Sequence, residues 1–297
     1  MLERILSHKR EEVALRSDEV GLTEMRRRAA AAPPSRDFLG ALAGDRVAVI
    51  AEIKRASPSR GRLAPDLDPA ALARQYELGG AAAISVLTDG RFFEGSLADL
   101  ARARAAVSLP VLRKDFVVDE YQLYEARAAG ADAVLLIAAA LAQGQLDYLC
   151  SVAREIGLTS LVETHGEEEV QRAVARGARL VGVNSRDLRT FGVDLSTVER
   201  LGQHVPGSCT LVAESGIHSR VDVERLAAAG ADAVLVGEAL VKAPDVAAKV
   251  AELASVPRRG RPGTSGDGVP APAAIGGRGD GVPAPAAIGG RGDGEPC

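Results

Sequence analysis

Four short segments, far apart along the chain, each place charged side chains directly after an apolar run. Ionisable groups cost free energy when they are buried, unless they are paired or used in chemistry. Lysines and glutamates in these positions therefore point to proton transfer, if the fold brings them together. The four segments read AEIK (Ala51–Lys54), LRKDF (Leu112–Phe116), LVETH (Leu161–His165) and VAESG (Val212–Gly216).

These segments belong to a longer pattern, in which short apolar strands alternate with helices rich in Ala, Leu, Glu and Arg. Such alternation is typical of a parallel sheet with helical connections. Eight strands are predicted, at Val47–Ile53, Ala82–Val86, Pro110–Arg113, Ala133–Ile137, Ser160–Val162, Leu180–Val183, Leu211–Ala213 and Ala233–Val236.

The spacing of glycines before the even-numbered strands indicates that the sheet closes on itself. Gly80, Gly130, Gly177 and Gly230 each follow a predicted helix, where glycine can supply a left-handed cap, and they are 50, 47 and 53 residues apart. Each period holds two βα units, and eight units that close form the (β/α)8 TIM barrel. An open doubly wound sheet is the alternative, but no Gly-x-Gly-x-x-Gly follows a strand.

A barrel would bring the charged ends of its odd strands together. Strand side chains alternate with a period of two, and alternate strands contribute to the same interior layer of a barrel. Two acids and two bases at the C-terminal end favour catalysis, although ordinary ion pairs that plug the barrel mouth would show the same pattern. The side chains expected to converge are Lys54 or Glu52, Lys114, Glu163 and Glu214.

The loops after the seventh and eighth strands predict a phosphate site. Gly216 and Gly237 end these strands, and backbone N–H groups there, with a helix N-terminus, form the usual anion site of this fold. A glycine after one strand is often only a turn, but both loops together favour phosphate. The basic loop at 54–62, KRASPSRGR, is either solvated or covers an anionic substrate, with Ser57 as a hydrogen-bond donor.

The 297-residue chain divides by composition into a body and a tail. The 41 residues from Pro257 contain 12 Gly and 7 Pro, and GDGVPAPAAIGGR occurs twice in succession. Because such a segment can bury little apolar surface, residues 257–297 are predicted to be a disordered repeat tail. Residues 1–46, with helices predicted at Leu2–Arg16 and around Asp37–Ala43, form a helical extension of the barrel at 47–256.

Charge and composition exclude several classes of function. The net charge is −4, which argues against a nucleic-acid groove, and the longest apolar run, Ala133–Ala142, is half a membrane span. No charged-then-apolar leader opens the sequence, and three widely spaced cysteines fit a reducing compartment. We therefore expect a cytoplasmic protein without nucleic-acid or membrane partners. The four histidines lack metal-ligand spacing, so no metal site is expected.

Read in order, the motifs resemble the indole-3-glycerol-phosphate synthase family of tryptophan biosynthesis. The segments that carry the resemblance are AEIKRASPSRG, LRKDF, LVETH, GVNSRDL and AESGI, and it extends over about residues 1–254. It implies a TIM-barrel carboxy-lyase that converts 1-(2-carboxyphenylamino)-1-deoxyribulose 5-phosphate to indole-3-glycerol phosphate, CO2 and water. It implies no cofactor, since loss of CO2 restores the aromatic ring without an external electron sink.

The resemblance also implies roles for the charged residues. Lys114 would be the general acid that protonates the carbonyl oxygen as the ring closes, and Glu163 the general base of the later dehydration. Lys54 would contact anionic groups of the substrate and take part in proton transfer, while Glu52 would orient the lysines and balance the iminium charge. A lysine is a poor acid near neutral pH, so we expect burial and the neighbouring lysine to lower the pKa of Lys114.

The remaining site residues are also implied by the resemblance. Asn184 and Arg186 would hold hydroxyl and carboxylate oxygens, and Phe93, Phe116 and Leu135 would line the pocket for the aromatic ring. Glu214 and Ser215 match the strand-seven pair of the family. The phosphate contacts would be Ser57, Gly216 and Gly237.

One departure from the family pattern concerns the phosphate loop, where some members have a serine after the glycine and this chain has Glu238. We expect this carboxylate to face away from the phosphate. Two other functions stay open at this point: a different phosphate-binding barrel enzyme of the phosphoribosyl isomerase type, and a non-catalytic barrel that binds a phosphorylated ligand. We expect the chain to act as a monomer.

Overall fold

The structure, a computed structural model, describes residues 1–187 and 190–260. Eight parallel strands close into a barrel in which each strand lies beside its sequence neighbours and β8 pairs with β1. The (β/α)8 TIM barrel predicted from the sequence is therefore confirmed. The strands are β1 (Ala48–Ile53), β2 (Ala83–Leu87), β3 (Val111–Lys114), β4 (Ala133–Ile137), β5 (Thr159–Thr164), β6 (Leu180–Asn184), β7 (Thr210–Glu214) and β8 (Ala233–Val236).

The helices cover the outside of the barrel and its two ends. A small hairpin of Ala56–Ser57 and Gly61–Arg62 lies in the loop after β1. None of the helices in the described ranges is long and apolar enough to cross a membrane. They are Leu2–Glu19, Leu22–Ala31, Phe38–Ala41, Pro69–Leu78, Gly90–Phe93, Leu97–Ala106, Glu120–Ala128, Gln143–Glu155, Glu167–Ala175, Ser196–Gly202, Arg220–Ala228, Glu238–Val241 and Val246–Ala254, with a 3-10 turn at Ala138–Ala140.

The capping glycines have the backbone conformation that their spacing predicted. Gly80, Gly130, Gly177 and Gly230 have φ angles of +86°, +90°, +75° and +86°. A β-carbon is disfavoured at such angles, whereas glycine adopts them freely. Each even strand therefore starts at a defined point after its helix.

The alternation of side chains along the strands divides the apolar core into two layers. Along β1, Val49, Ala51 and Ile53 face the surrounding helices, whereas Ile50 faces the barrel interior. Phe38 and Leu42 close the N-terminal end of that interior. Because side chains alternate, Glu52 is also directed inward, one layer above Ile50.

The N-terminal extension contains one more helix than predicted. Leu2–Glu19 and the short helix Phe38–Ala41 correspond to the two expected helices, and Leu22–Ala31 was missed. This helix consists mainly of arginines and alanines and buries only Met25 and Ala29. Its apolar stripe is therefore too short to be recognised in the sequence. Met25 from this helix packs with Val13 and with Tyr121 of the barrel.

The folded chain continues past the predicted boundary at Pro257. Pro257 forms a β-bridge with Arg46, and the Arg258 guanidinium lies 2.6 Å from Asp232 Oδ1. The backbone N–H of Arg258 donates to the carbonyl of Asp45. These two residues therefore belong to the barrel; the rest of the predicted tail, from residue 261, lies outside the described residues.

Candidate active site

A cavity of about 560 Å³ opens at the C-terminal ends of the strands. All fourteen residues singled out from the sequence line it, although they come from all eight βα units and their loops. The barrel thus brings them together, while their individual roles stay predictions. They are Glu52, Lys54, Ser57, Phe93, Lys114, Phe116, Leu135, Glu163, Asn184, Arg186, Glu214, Ser215, Gly216 and Gly237.

Lys114 lies at the floor of the cavity between two carboxylates. Its Nζ is 2.9 Å from Glu214 Oε2 and 3.4 Å from Glu163 Oε2. Burial alone would lower the pKa of Lys114, but the carboxylates of Glu214, Glu163 and Glu52 outweigh burial and raise it. The expected lowering of this pKa is therefore wrong, because it counted the neighbouring lysine and not the three acids.

The two carboxyl groups beside Lys114 have opposite pKa shifts. For Glu163 the attraction of Lys114 and His165 exceeds the effect of burial, and its pKa is lowered. For Glu214 burial dominates, with a contribution from the charge of Glu163, and its pKa is raised to about 7. A pair whose pKa values are pushed apart in this way supplies one base and one acid near neutral pH.

His165 lies beside the proposed base, where the sequence indicated only a loop residue. Its Nε2 is 3.4 Å from Glu163 Oε1, and its Nδ1 is 3.5 Å from Glu169 Oε2. Burial would lower its pKa, but Glu169, Glu163 and Glu214 raise it. The carboxylates of Glu163 and Glu169 therefore favour the protonated form of this imidazole, a relationship that the position of His165 in the sequence did not reveal.

A second ion pair lies on the β1 side of the cavity. Lys54 Nζ is 2.5 Å from Glu52 Oε1. Burial would raise the pKa of Glu52, but the charges of Lys54 and Lys114 outweigh it, and the pKa is lowered. Glu52 is thus a carboxylate that interacts with the charges of both lysines, while the orienting role expected of it stays a prediction.

Two glycines leave room for these carboxylates. A β-carbon at Gly182 would lie 2.2 Å from Glu214 Oε1, and one at Gly237 would lie 2.4 Å from Glu52 Oε1. The sequence suggested that Gly237 lets phosphate approach the backbone. The lack of a side chain at Gly237 also leaves space for the carboxylate of Glu52. The sequence did not predict a role for Gly182. A glycine inside a strand does not reveal which side chain, here that of Glu214, occupies the space beside it.

One wall of the cavity is apolar. The rings of Phe93 and Phe116 are 6.1 Å apart and tilted by 39°, and Leu135 lies below them in the barrel interior. Leu2 and Ile5 of the N-terminal helix also reach the cavity. A planar aromatic group fits this wall, and the helical extension supplies part of it.

The opposite wall is formed by the loops after β7 and β8. Ser215 and Gly216 have φ angles of +67° and +78°, and a β-carbon at Gly216 would lie 2.4 Å from Val193. A serine in the left-handed region is strained, and such strain is frequent at ligand sites. Gly237 precedes the short helix Glu238–Val241 as predicted.

The carboxylate of Glu238 is held by two cations. Its Oε1 is 2.7 Å from Lys242 Nζ, and its Oε2 is 3.5 Å from Arg60 Nε. These pairs compensate the negative charge that Glu238 places near the loops after β7 and β8, which are predicted to bind phosphate. Arg60 lies in the hairpin after β1. The sequence predicted a basic loop at 54–62 but no individual role for Arg60.

Residues of the loop after β6, among them Arg186 and Phe191, also line the cavity. Asn184 Oδ1 accepts from the backbone N–H of Arg186, and the Arg186 side chain donates to the carbonyl of Phe191. The Asn184 side chain also contributes to the lowered pKa of Glu163. The loop therefore offers an amide and a guanidinium to oxygens of a bound ligand.

Comparison with known proteins places these motifs in one family. A sequence model of the family described as "Indole-3-glycerol phosphate synthase" matches residues 2–253. The chain belongs to the indole-3-glycerol phosphate synthase family. The family member of Mycobacterium ulcerans is 53% identical over 253 residues, which cover 85% of this chain and 93% of that protein. Indole-3-glycerol phosphate synthase 1 of Streptomyces coelicolor is also 53% identical, with 85% and 94% covered.

Two solved structures share the fold alone. A thiamine phosphate pyrophosphorylase from Pyrococcus furiosus has a TM-score of 0.53 and 19% identity, with 70% of this chain and 93% of that chain covered. A 3-hexulose-6-phosphate synthase has a TM-score of 0.56 and 18% identity, with 70% and 98% covered. A shared barrel fold does not by itself determine function.

Proposed function

We propose that this barrel converts 1-(2-carboxyphenylamino)-1-deoxyribulose 5-phosphate to indole-3-glycerol phosphate with loss of CO2 and water. The observation that carries the proposal is the placement of Lys114 Nζ within 2.9 Å of Glu214 and 3.4 Å of Glu163, beside the Phe93 and Phe116 rings. Aromatic substitution at a ketone needs an acid at the oxygen, and dehydration needs an acid and a base. The cluster of Lys114, Glu163 and Glu214 contains the acids and the base that these steps need.

In the first step, the ring carbon that bears the carboxylate attacks the ketone carbon, and the ketone oxygen takes a proton from Lys114. The raised pKa of Lys114 keeps this ammonium fully charged at neutral pH. The developing alkoxide is a stronger base than an amine, so transfer to it remains favourable even from such a lysine. The fixed ammonium also stabilises the negative charge as it forms.

In the later steps, the bond to the carboxylate breaks and its electron pair restores the aromatic ring, which releases CO2. The hydroxyl group then leaves as water, with a proton from an acid, while Glu163 removes a proton from the five-membered ring. The lowered pKa of Glu163 keeps this carboxylate ionised at neutral pH, so it can accept that proton. Glu214, with a pKa of about 7, is suited to return a proton within the cluster.

The walls of the cavity account for the other parts of the substrate. Phe93, Phe116 and Leu135 would hold the carboxyphenyl ring, and the loops with Ser215, Gly216 and Gly237 would bind the phosphate with Ser57. Lys54, Asn184 and Arg186 would bind the carboxylate and the hydroxyl groups. This orientation directs the reacting ketone toward Lys114.

An assay of indole fluorescence tests the proposal directly. Because the chain contains no tryptophan, indole emission reports the product alone. We expect the emission to rise on addition of the carboxyphenylamino deoxyribulose phosphate. An isomerase of phosphoribosyl intermediates would leave this substrate unchanged, and a binding protein would release no CO2; either result would overturn the proposal.

We further propose that the protein works in the cytoplasm as a monomer, without a nucleic-acid partner. The net charge of −4 supports the last of these points, since nucleic-acid binding needs a basic surface. The residues proposed for the site all lie on this chain, so the proposed site is complete without a second copy. Light scattering on the purified protein tests the oligomeric state, and a dimeric mass would contradict it.

A further inference from the structure

A lysine of the N-terminal helix is completely buried against the loops that carry the active site. Lys9 has no exposed surface, and its Nζ lies 2.9 Å from Asp89 Oδ2 and 3.0 Å from Asp115 Oδ1. Glu12, one turn along the same helix, lies 2.8 Å from the same nitrogen. Asp89 and Asp115 follow β2 and β3, so a single ammonium joins two barrel loops to the extension.

Both aspartates also hold the backbone from which the aromatic wall projects. Asp89 Oδ1 accepts from the N–H of Phe92 and so caps the short helix that ends in Phe93. Asp115 Oδ1 accepts from the N–H of Phe116. The two rings, 6.1 Å apart, are therefore both close in sequence to a carboxylate bound to Lys9. Phe116 directly follows Asp115, and Phe93 directly follows Phe92, whose N–H is held by Asp89.

Asp115 in addition directly follows Lys114. Its Oδ2 accepts from Thr88 Oγ1 at 2.7 Å and from Arg113 Nη2 at 2.9 Å, which fixes the carboxylate from the barrel side. Lys9 fixes it from the side of the extension. The end of β3, where the proposed acid lies, is thus held between two buried cations.

Without Lys9, two buried carboxylates would face each other with less positive charge between them. Asp89 and Asp115 both lie within 3.0 Å of the same Lys9 nitrogen, and like charges this close repel strongly in a low-dielectric environment. The loops after β2 and β3, which carry the two aspartates, would therefore move apart. A displacement of about 1 Å at a catalytic group can reduce a rate by a factor on the order of 10². The consequence would appear at the aromatic wall and at Lys114, and not at the phosphate loops on the other side of the cavity.

We propose that Lys9 is a positioning residue that sets the separation of Phe93 and Phe116 and the placement of Lys114. This inference rests on the proposed function, since it assigns the effect to the binding of an aromatic ring and to ring closure. The helical extension then has a defined task in the reaction: its lysine aligns the acid and the ring-binding wall from outside the barrel.

The test compares Lys9→Met with two further variants. Lys9→Met combined with Asp89→Asn restores the charge balance, and the asparagine can still cap the helix at Phe92, but the link between the loops stays absent. Arg16→Met, on the same helix, removes the pairs with Glu12 and Glu125 and changes the net charge equally. All assays are run well below the lowest melting temperature.

We expect Lys9→Met to reduce kcat by tenfold or more and to weaken the binding of anthranilate, used as an aromatic probe. Inhibition by inorganic phosphate should change by less than twofold, because its loops are not attached to Lys9. The double variant should regain thermal stability without regaining kcat. Arg16→Met should lose stability but keep kcat within twofold of the wild type.

Three results would overturn the inference: a wild-type kcat in Lys9→Met, recovery of kcat together with stability in the double variant, or equal weakening of phosphate and anthranilate. If Lys9→Met does not fold, the double variant carries the comparison. Failure of the wild type to form indole product would instead refute the proposed function, so the two failures are distinguishable.

Discussion

Glu214 and Lys114 meet at the centre of the cavity, where Glu214 Oε2 is 2.9 Å from the ammonium. Glu163 lies slightly farther from the same nitrogen, at 3.4 Å. A single cation therefore serves two carboxyl groups, of which Glu163 is the more acidic and Glu214 has a pKa of about 7. This asymmetry separates the acid from the base within one cluster.

Replacement of Lys114 by alanine should abolish ring closure while phosphate still binds. Loss of a general acid reduces a rate by a factor on the order of 10²–10⁴, and the phosphate loops lie on another wall of the cavity. Steady-state turnover and inhibition by inorganic phosphate measure the two effects separately. Lys249→Ala, on the last helix and outside the residues that line the cavity, serves as the control. Turnover of Lys114→Ala within tenfold of the wild type would refute the assignment of the acid.

Glu163→Gln should slow the reaction after ring closure. The amide preserves the size and hydrogen bonding of the side chain but cannot accept the proton that dehydration releases. In a single-turnover experiment, we expect substrate to disappear faster than indole product forms. Glu169→Gln, which also faces His165, is the matched control and should retain the wild-type time course. If Glu163→Gln shows wild-type single-turnover kinetics, another residue is the base.

The raised pKa of Glu214 predicts how stability depends on pH. The native state keeps the proton of Glu214 up to about pH 7, while the unfolded state releases it near the ordinary value of 4.5. The free energy of unfolding of the wild type should therefore fall as the pH rises from about 4.5 to 7 because of this group. Glu214→Gln removes this loss, so the variant should gain stability relative to the wild type across that window.

The gain should level off above pH 7, at up to about 3 kcal/mol, because each pKa unit corresponds to about 1.4 kcal/mol. Urea unfolding at several pH values measures it. Glu155→Gln, at an exposed position of another helix, should show no such pH-dependent difference. A variant that instead becomes less stable as the pH rises would show that Glu214 is ionised in the folded protein.

The strands and the capping glycines were predictable because their signals are local. An apolar run predicts a strand, and a glycine after a helix, as at Gly130, predicts a helix cap. Both patterns involve only a few adjacent residues. The convergence of Lys114, Glu163 and Glu214 followed from the alternation of strands in a barrel. The direction in which the pKa of Lys114 shifts could not be predicted from the sequence. It depends on how many carboxylates surround the Lys114 ammonium in the folded protein.

Other features depend on contacts between distant segments. Lys9 lies in a highly charged helix and has the pattern of a surface residue, yet its partners Asp89 and Asp115 are 80 and 106 residues away. Gly182 similarly leaves room for a side chain that follows 32 residues later. Neither relationship has a sequence signature, since each arises only when the barrel closes.

Gly182→Ala should reduce turnover although it adds only one methyl group. The new β-carbon would lie 2.2 Å from Glu214 Oε1, so the carboxylate must move away from Lys114. The atom in contact is the end of a side chain rather than backbone, and the barrel should therefore still fold. We expect kcat to fall by tenfold or more, with an unchanged far-UV spectrum. Gly144→Ala, where no atom lies within 4 Å, should keep the wild-type kcat; an equally active Gly182→Ala would show that Glu214 is not needed in this position.

Truncation at two points should locate the end of the folded chain. A protein that ends at Val256 loses Pro257 and Arg258, and with them the bridge to Arg46 and the ion pair with Asp232. Asp232 is nearly buried, so loss of this cation should lower the melting temperature by several degrees. At about 2–4 °C per kcal/mol for a chain of this size, such a shift corresponds to one or two kcal/mol.

A protein that ends at Gly260 keeps these contacts and should match the full chain in melting temperature and in kcat/KM. The repeats that it lacks are rich in Gly and Pro and have few apolar side chains to bury. Melting curves and steady-state assays on the two truncated proteins and the full chain give the comparison. Equal stability of both truncated proteins would show that Arg258 contributes nothing. A clear loss in the protein that ends at Gly260 would show that residues 261–297 stabilise the barrel, contrary to the interpretation of this segment from its composition.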